Sequence, residues 1–244
     1  MDKVRTLSDT KREFYTHHTR PINSVYRRVV EELMVEMHLL TVNVDFRYDP
    51  IYALGVVTSY ERFMQGYRPE KDKEPIFQAL CQSVGHSAGQ YQQDAERLKG
   101  VAQGLSSEDI IAALSSQGPS NELSELGKAI ADNPSFKYSR LFAIGLYTLF
   151  EQVNADLVKD EKWRKAVLKN LSETLHLPLE KIEKDLEQYR GNLEKMAQVR
   201  IALEDALQAD RKKRMQRELE KSQKGTNEDQ QTDSPQDSAS SGTP

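Results

Sequence analysis

Apolar residues recur along this chain three and four positions apart, and no alternation of apolar and polar residues runs for more than a few positions. That period lines one face of an α-helix and leaves no strand from which to build a sheet. The expected fold class is all-α, a multi-helix bundle with a long C-terminal coiled-coil-like helix. No internal repeat is evident.

Local signals divide the pattern into elements. Thr10 and Glu13 have the spacing of a capping box, opening a short helix that the Arg20-Pro21 pair closes, because the residue before proline is pushed out of the α region. Pro21 then suits the first turn of a second helix over about 21 to 44, with Ile22, Val25, Tyr26, Val29, Leu33, Met37 and Leu40 on one stripe. Asp49-Pro50 reads as a cap and first-turn proline for a very apolar third helix ending near Gly66. Glu74-Pro75 opens a fourth that runs to about Lys99, bent at Gly85 and Gly89. Ser106 with Asp109 starts a short helix, another covers about 121 to 131, and the stretch from about 136 to 155 is the most apolar of all.

Beyond residue 160 the pattern thins to Trp163, Val167, Leu171 and Leu175 with charges between them. From Leu179 a heptad can be written: Leu179, Leu186, Leu193, Arg200 and Leu207 at a, and Ile182, Tyr189, Met196, Leu203 and Asp210 at d. Arg200 and Asp210 interrupt this seam, which would reach roughly 65 Å if helical to about residue 222. Past Gly225 there is no aromatic or large aliphatic residue, so ordering has nothing to offset its entropy. The expected organisation is a globular bundle at 1–158, an extended amphipathic segment at 159–222 and a disordered tail at 223–244. Whether the seam folds back or joins two chains as a homodimer is open.

Composition narrows the chemistry. The net charge of -4 argues against non-specific binding of nucleic acid, which needs positive charge. The single Cys81 cannot make an internal disulfide or a multi-thiolate site, and it falls in a helical pattern as a buried apolar residue. The longest uncharged runs fall far short of the roughly 18 apolar residues that span a bilayer. There is no signal-peptide-like apolar stretch and no phosphate loop, GxGxxG, HExxH, GxSxG or CxxC motif, so neither a catalytic residue set nor a cofactor or metal ligand set is expected.

The densest polar group is His17, His18, Glu31, Glu32, Glu36 and His38. A di-iron bundle needs Glu-x-x-His pairs, and Val35 stands three before His38. His38 falls opposite the assumed apolar stripe and is expected in solvent; His18 packs toward Phe14 one turn back, and His17 pairs with Glu13. Glu36 projects near Val25 and Val29 and needs a partner from a neighbouring helix, or a proton or metal role. Arg27 and Arg28 can pair with Glu31 and Glu32 on an outer face, as a solvated surface or a docking one. The run RKKRMQR, with Arg211, Lys212, Lys213, Arg214 and Arg217, could attract phosphates or anionic headgroups, although Glu204, Asp205, Asp210, Glu218 and Glu220 flank it. Candidate partner-docking residues are Arg20, Arg27, Arg28, Glu36, Arg211, Lys212, Lys213 and Arg214. A helical enzyme centred on Glu36, His38 and His18 is the competing reading, and a peripheral binder of membrane or nucleic acid through 211–217 is another.

The stretch SDTKREFYTHHTRPINSVYRRVVEELMVEMHLLTVNVDFRYDPIYALGVVTSYERFMQGYRPE, residues 8 to 70, closely resembles the Thylakoid Formation family, and the likeness continues through PSFKYSRLFAIGLYTLFE, 134 to 151. Without a plant-type transit peptide, the chain is similar to cyanobacterial members. The resemblance implies an all-helical, non-enzymatic factor for assembly and repair of photosystem II. It implies association with the FtsH protease complex and photosystem II components, peripherally on the cytoplasmic side of the thylakoid membrane and partly soluble. It carries no catalytic residues.

Overall fold

The computed structural model describes the backbone of residues 5–228 and the side chains of residues 5–218. Among these residues there are ten α-helices and no strand. They fall into two compact units, divided after Glu194.

The centre of the first unit is a pair of apolar helices, α3 (Pro50–Phe63) and α8 (Arg140–Val153). Ten consecutive residues of each are buried, Ile51 to Tyr60 and Leu141 to Phe150. The two backbones touch. A Cβ placed on Gly55 would lie 1.7 Å from the Leu141 carbonyl oxygen, and one on Gly145 would lie 1.8 Å from that of Ile51. Only glycine allows this approach.

The contact is reciprocal because the segments that make it are counterparts. FRYDPIYALGVVTSYERF, 46–63, matches FKYSRLFAIGLYTLFEQV, 136–153, at an offset of 90 residues, with Phe46/Phe136, Tyr48/Tyr138, Ala53/Ala143, Gly55/Gly145, Thr58/Thr148 and Glu61/Glu151 identical. Each position repeats its job. Asp49 caps α3 through the Tyr52 amide at 2.8 Å, and Ser139 caps α8 through that of Phe142 at 3.0 Å. Phe46 meets Tyr52 edge-on at 5.0 Å as Phe136 meets Phe142 at 5.1 Å. Asn43 and Asn133 turn the chain ahead of each, accepting from the amides of Asp45 and Ser135.

The repeat extends to whole halves. In the first, α1 (Leu7–His17) lies on α2 (Ser24–Thr41) and α4 (Lys73–Ser83), with α5 (Ala88–Gln103) on α3. In the second, α6 (Ser107–Leu114) lies on α7 (Glu122–Ala131) and α9 (Glu161–Thr174), followed by α10 (Leu179–Glu228). The Tyr48 hydroxyl donates to Asp94 of α5 at 2.7 Å, and the Tyr138 hydroxyl to Asp185 of α10 at 2.8 Å. Helices α4 and α9 end alike: a residue at positive φ, Gly85 or His176, is followed by an amide that returns to the carbonyl of Cys81 or Ser172. From there the offset is 91, so the end of α5 at Gln103 corresponds to Glu194, where the first unit ends. The expectation of no internal repeat is therefore corrected.

Other expectations shift with it. The compact unit runs through α9 and on to Glu194 rather than ending at 158, because Val167, Leu168, Leu171, Leu175, Ile182, Leu186 and Tyr189 are buried in it. Of the seam, only this early part is buried; Leu207 is 60% exposed. Helix α10 continues through 223–228, and residues 229–244 of the expected tail lie outside the described residues. The long fourth helix is two, separated at Gly85. The capping box of α1 is Thr6 with Asp9, not Thr10 with Glu13, since Thr10 lies inside the helix with its hydroxyl turned to His38. Asn23, not Pro21, opens α2.

Helix α1 also rotates the buried face of α2. Tyr26, Val30, Leu33, Met34 and Met37 are buried while Val25 and Val29 are half-buried, so the stripe is centred further round than expected and takes in His38. His38 is 5% exposed and its Nδ1 lies 2.9 Å from the Thr10 hydroxyl. His18, 4% exposed, packs on Phe14 with ring centroids 6.1 Å apart, and its Nε2 has no hydrogen-bond partner. Burial lowers the pKa of both rings.

Two predictions follow from this packing. Gly55→Ala drives a methyl into backbone that cannot swing aside and is expected to cost about 3 kcal/mol or more in urea unfolding. Gly191→Ala, with nothing within 4 Å of the new Cβ, is expected to be neutral or to stabilise by up to about 1 kcal/mol. The second concerns acid. A histidine whose folded pKa is depressed leaves stability intact above its unfolded value near 6.5 and removes it as pH falls below that value. Amide exchange in α1, corrected for intrinsic rates, is expected to accelerate below about pH 6.5 by up to about tenfold per pH unit for each histidine. The His18→Asn/His38→Asn variant loses that dependence. Buried Asp49, pushed up to about 6, acts in the opposite direction on global stability, so the readout is confined to α1.

Candidate docking surface

Glu36 finds the partner its position demands. Its Oε2 accepts from Nη2 of Arg140, the first residue of α8, at 2.7 Å and from Nε at 3.2 Å. The side chains are 17% and 31% exposed. Burial raises the Glu36 pKa, and the guanidinium opposes it. The pair joins α2 to α8. It is occupied in holding the fold and does not face outward.

The proposed enzyme centre does not form. Residues 36 and 38 are about 200° apart on a helix, and Glu36 pairs with Arg140 while His38 turns to Thr10 under α1. His18 lies at the end of α1 against Phe14. Among the described residues no group of three or more His, Cys, Asp or Glu side chains could hold a metal ion. Cys81 is fully buried, as expected, and its thiol is pushed up to about 12 by desolvation.

The arginines divide by what they hold. Arg20 donates from Nη1 to Asp72, whose side chain is only 7% exposed. Arg62 of α3 donates to Glu151 of α8 and reaches the Tyr189 hydroxyl of α10. Arg97 of α5 bridges Asp94 at 2.8 Å and Glu122 of α7 at 3.0 Å. These are ties between elements. Sequence reading missed Asp72, Glu122 and Arg140 as partners, since each lies far along the chain from the group it satisfies.

Arg27 and Arg28 differ. Both are exposed on α2; Arg28 pairs with Glu32 at 3.0 Å, and both of those side chains are more than half exposed. Glu31 does not pair with arginine and instead accepts from the hydroxyl of Tyr15 of α1 at 3.0 Å. His17 keeps the expected contact with Glu13, also 3.0 Å. Arg28, Glu32 and Leu39 follow one outer stripe of α2, and Leu39 is 59% exposed. Tyr15, 41% exposed, borders it. The result is a face with an aromatic ring, an aliphatic side chain and two arginines, and the Arg28–Glu32 ion pair on it, being solvated, is cheap to rearrange.

In the second unit, Arg211, Lys212, Lys213 and Arg214 are exposed, and Arg214 pairs with Asp210 at 3.1 Å. No helix among the described residues is long and apolar enough to cross a membrane.

Comparison with known proteins places this arrangement. A family model described as thylakoid formation protein matches residues 6–218. Protein Thf1 of Trichormus variabilis is 61% identical over 225 residues, covering 91% of this chain and 97% of that protein. Protein Thf1 of Gloeothece citriformis is 58% identical over 223 residues, covering 90% and 99%. A solved structure of Psb29 superposes with a TM-score of 0.76 at 45% identity, covering 86% of this chain and 99% of that one. Fold, length and sequence thus agree across nearly the whole described chain, and the chain belongs to the thylakoid formation protein family.

Proposed function

We propose that this protein is a non-enzymatic accessory factor in photosystem II assembly and repair, an adaptor that binds or stabilises thylakoid FtsH protease complexes from the cytoplasmic side of the membrane. The observation that carries this reading is membership of the thylakoid formation family over residues 6–218. The outer face of α2, with Tyr15, Arg27, Arg28 and Leu39, is the surface we assign to the partner. Large rings and arginines are the residues enriched where protein surfaces meet. Arg20 and Glu36 serve the interior ion pairs that keep this face in place.

Tagged protein recovered from thylakoids in mild detergent is expected to bring down FtsH and photosystem II subunits; recovery of neither overturns the adaptor reading. Arg27→Glu/Arg28→Glu is expected to leave unfolding free energy within about 0.5 kcal/mol, as solvated positions do, while lowering FtsH recovery at least about fivefold. Undiminished recovery removes this face from the proposal. Arg20→Ala serves as the contrast: it leaves buried Asp72 without its guanidinium and is expected to cost about 1–2 kcal/mol of stability with binding retained.

A further inference from the structure

The second unit carries an apolar stripe for which the first half of the molecule has no counterpart. Met196 and Leu203 are half-buried, Val199 is 36% exposed and Leu207 is 60% exposed. These residues follow the heptad that begins in the first unit and reaches Arg214 at its next a position after Leu207, and before that end two charges interrupt it: Arg200 at an a position and Asp210 at a d position. The interruptions are opposite in sign. They are also symmetrically placed, each the same distance from Asp205.

We propose that residues 196–214 of α10 pair with the same segment of a second copy of this chain, in antiparallel orientation. Antiparallel helices set a positions of one against d positions of the other. With the two-fold axis at Asp205, Leu203 meets Leu207 of the second copy and Leu207 meets its Leu203. In the same register Arg200 meets Asp210 of the second copy and Asp210 meets its Arg200. The two defects of the seam thereby cancel each other. A parallel, in-register pair does the reverse, stacking Arg200 on Arg200 and Asp210 on Asp210, like charges at the centre of the contact. Met196 lies against the aliphatic stem of Arg214 of the second copy, whose guanidinium reaches water at the rim. Asp210 has an intrahelical partner in Arg214 at 3.1 Å, and both side chains are largely exposed, so exchanging that contact costs little. Asp205 and Lys212 point away from the seam.

The proposal is independent of the partner assigned to α2, and its test needs no FtsH. Sedimentation of the full-length chain from about 1 µM to about 200 µM is expected to show the mass rising from the 27.9 kDa of one chain toward twice that value. Arg200→Asp alone and Asp210→Arg alone each place like charges in both ionic layers and are expected to raise the dissociation constant at least about tenfold. An equimolar mixture of the two variants restores opposite charges in every layer, and so does the double variant R200D/D210R; both are expected to return to within about twofold of the unaltered chain. Lys212→Glu, on the outward side, is expected to change nothing. A mass fixed at one chain over the whole range overturns the proposal and leaves the stripe to a different occupant. A mixture that dimerises at least about tenfold more tightly than the unaltered chain, with the double variant unchanged, means a parallel pair, and dimers that survive both single changes mean another interface; either result also overturns it.

Discussion

The contact between Gly55 and Gly145 sets the terms for the rest of this protein. Where two helices meet through side chains their axes stand 8–10 Å apart, and different packings can be exchanged at modest cost. Here the Leu141 and Ile51 carbonyls occupy the space that any Cβ would need, so the crossing point of α3 and α8 is fixed at one residue on each helix. Because the counterparts lie at equal positions in matching segments, the contact also imposes a local two-fold relation on what surrounds it. Each central helix enters through an Asn turn and a side-chain cap, and each presents a tyrosine, Tyr48 or Tyr138, to an aspartate on the last helix of its own half.

A core this apolar needs its polar groups supplied at the margins. Glu36 with Arg140, Arg62 with Glu151, and Arg97 with Glu122 all join different helices, Arg97 also pairing with Asp94 of its own helix, and all contain at least one partly buried partner. Such pairs contribute less to net stability than their short distances suggest, since desolvation opposes the Coulomb gain. Their larger effect is on geometry, because a carboxylate removed from water tolerates only the arrangement that brings its guanidinium. The arginines on the outer face of α2 carry no such obligation, which is why the same residue type can serve the interior at Arg140 and a partner at Arg28.

How much of this could be read from the sequence follows from the range of each cause. Caps are local, so Asp49-Pro50 and the Ser106-Asp109 box place the starts of α3 and α6 correctly. Fold class and the apolar character of α8 come from periodicity, which is also local. His38 escapes that reasoning: an angular stripe accounts for one neighbour, whereas α1 and α3 cover two sides of α2 and turn His38 inward. Two box-like spacings overlap near the N-terminus, and only the hydrogen bond between Thr10 and His38 selects Thr6 as the cap. The repeat was hidden because roles are retained where identities are not. Tyr52 stands against Phe142 and Asp49 against Ser139, and the offset slips from 90 at Glu61 and Glu151 to 91 at Cys81 and Ser172. The partner of Glu36, 104 residues away, has no local signature at all.

The repeat also separates what the fold requires from what has been added to it. Positions that perform one job in both halves, the glycines, the caps and the tyrosine-aspartate bonds, are explained by the architecture and need no other account. The halves diverge in two places. Helix α2 has eighteen residues where its counterpart α7 has ten, and the additional turns carry the exposed arginines and the Arg28–Glu32 pair. Helix α10 matches α5 only as far as Glu194 and then continues, leaving the first unit at the residue where its counterpart stops. The additional turns of α2 add Tyr26 and Val30 to the core on one side and leave their arginines on the other, whereas the continuation of α10 past Glu194 has no counterpart in the first half. Side chains there that combine exposed apolar surface with charge, Leu39 beside the α2 arginines and Leu207 between Arg200 and Asp210, are consequently the ones whose physical account lies in another molecule.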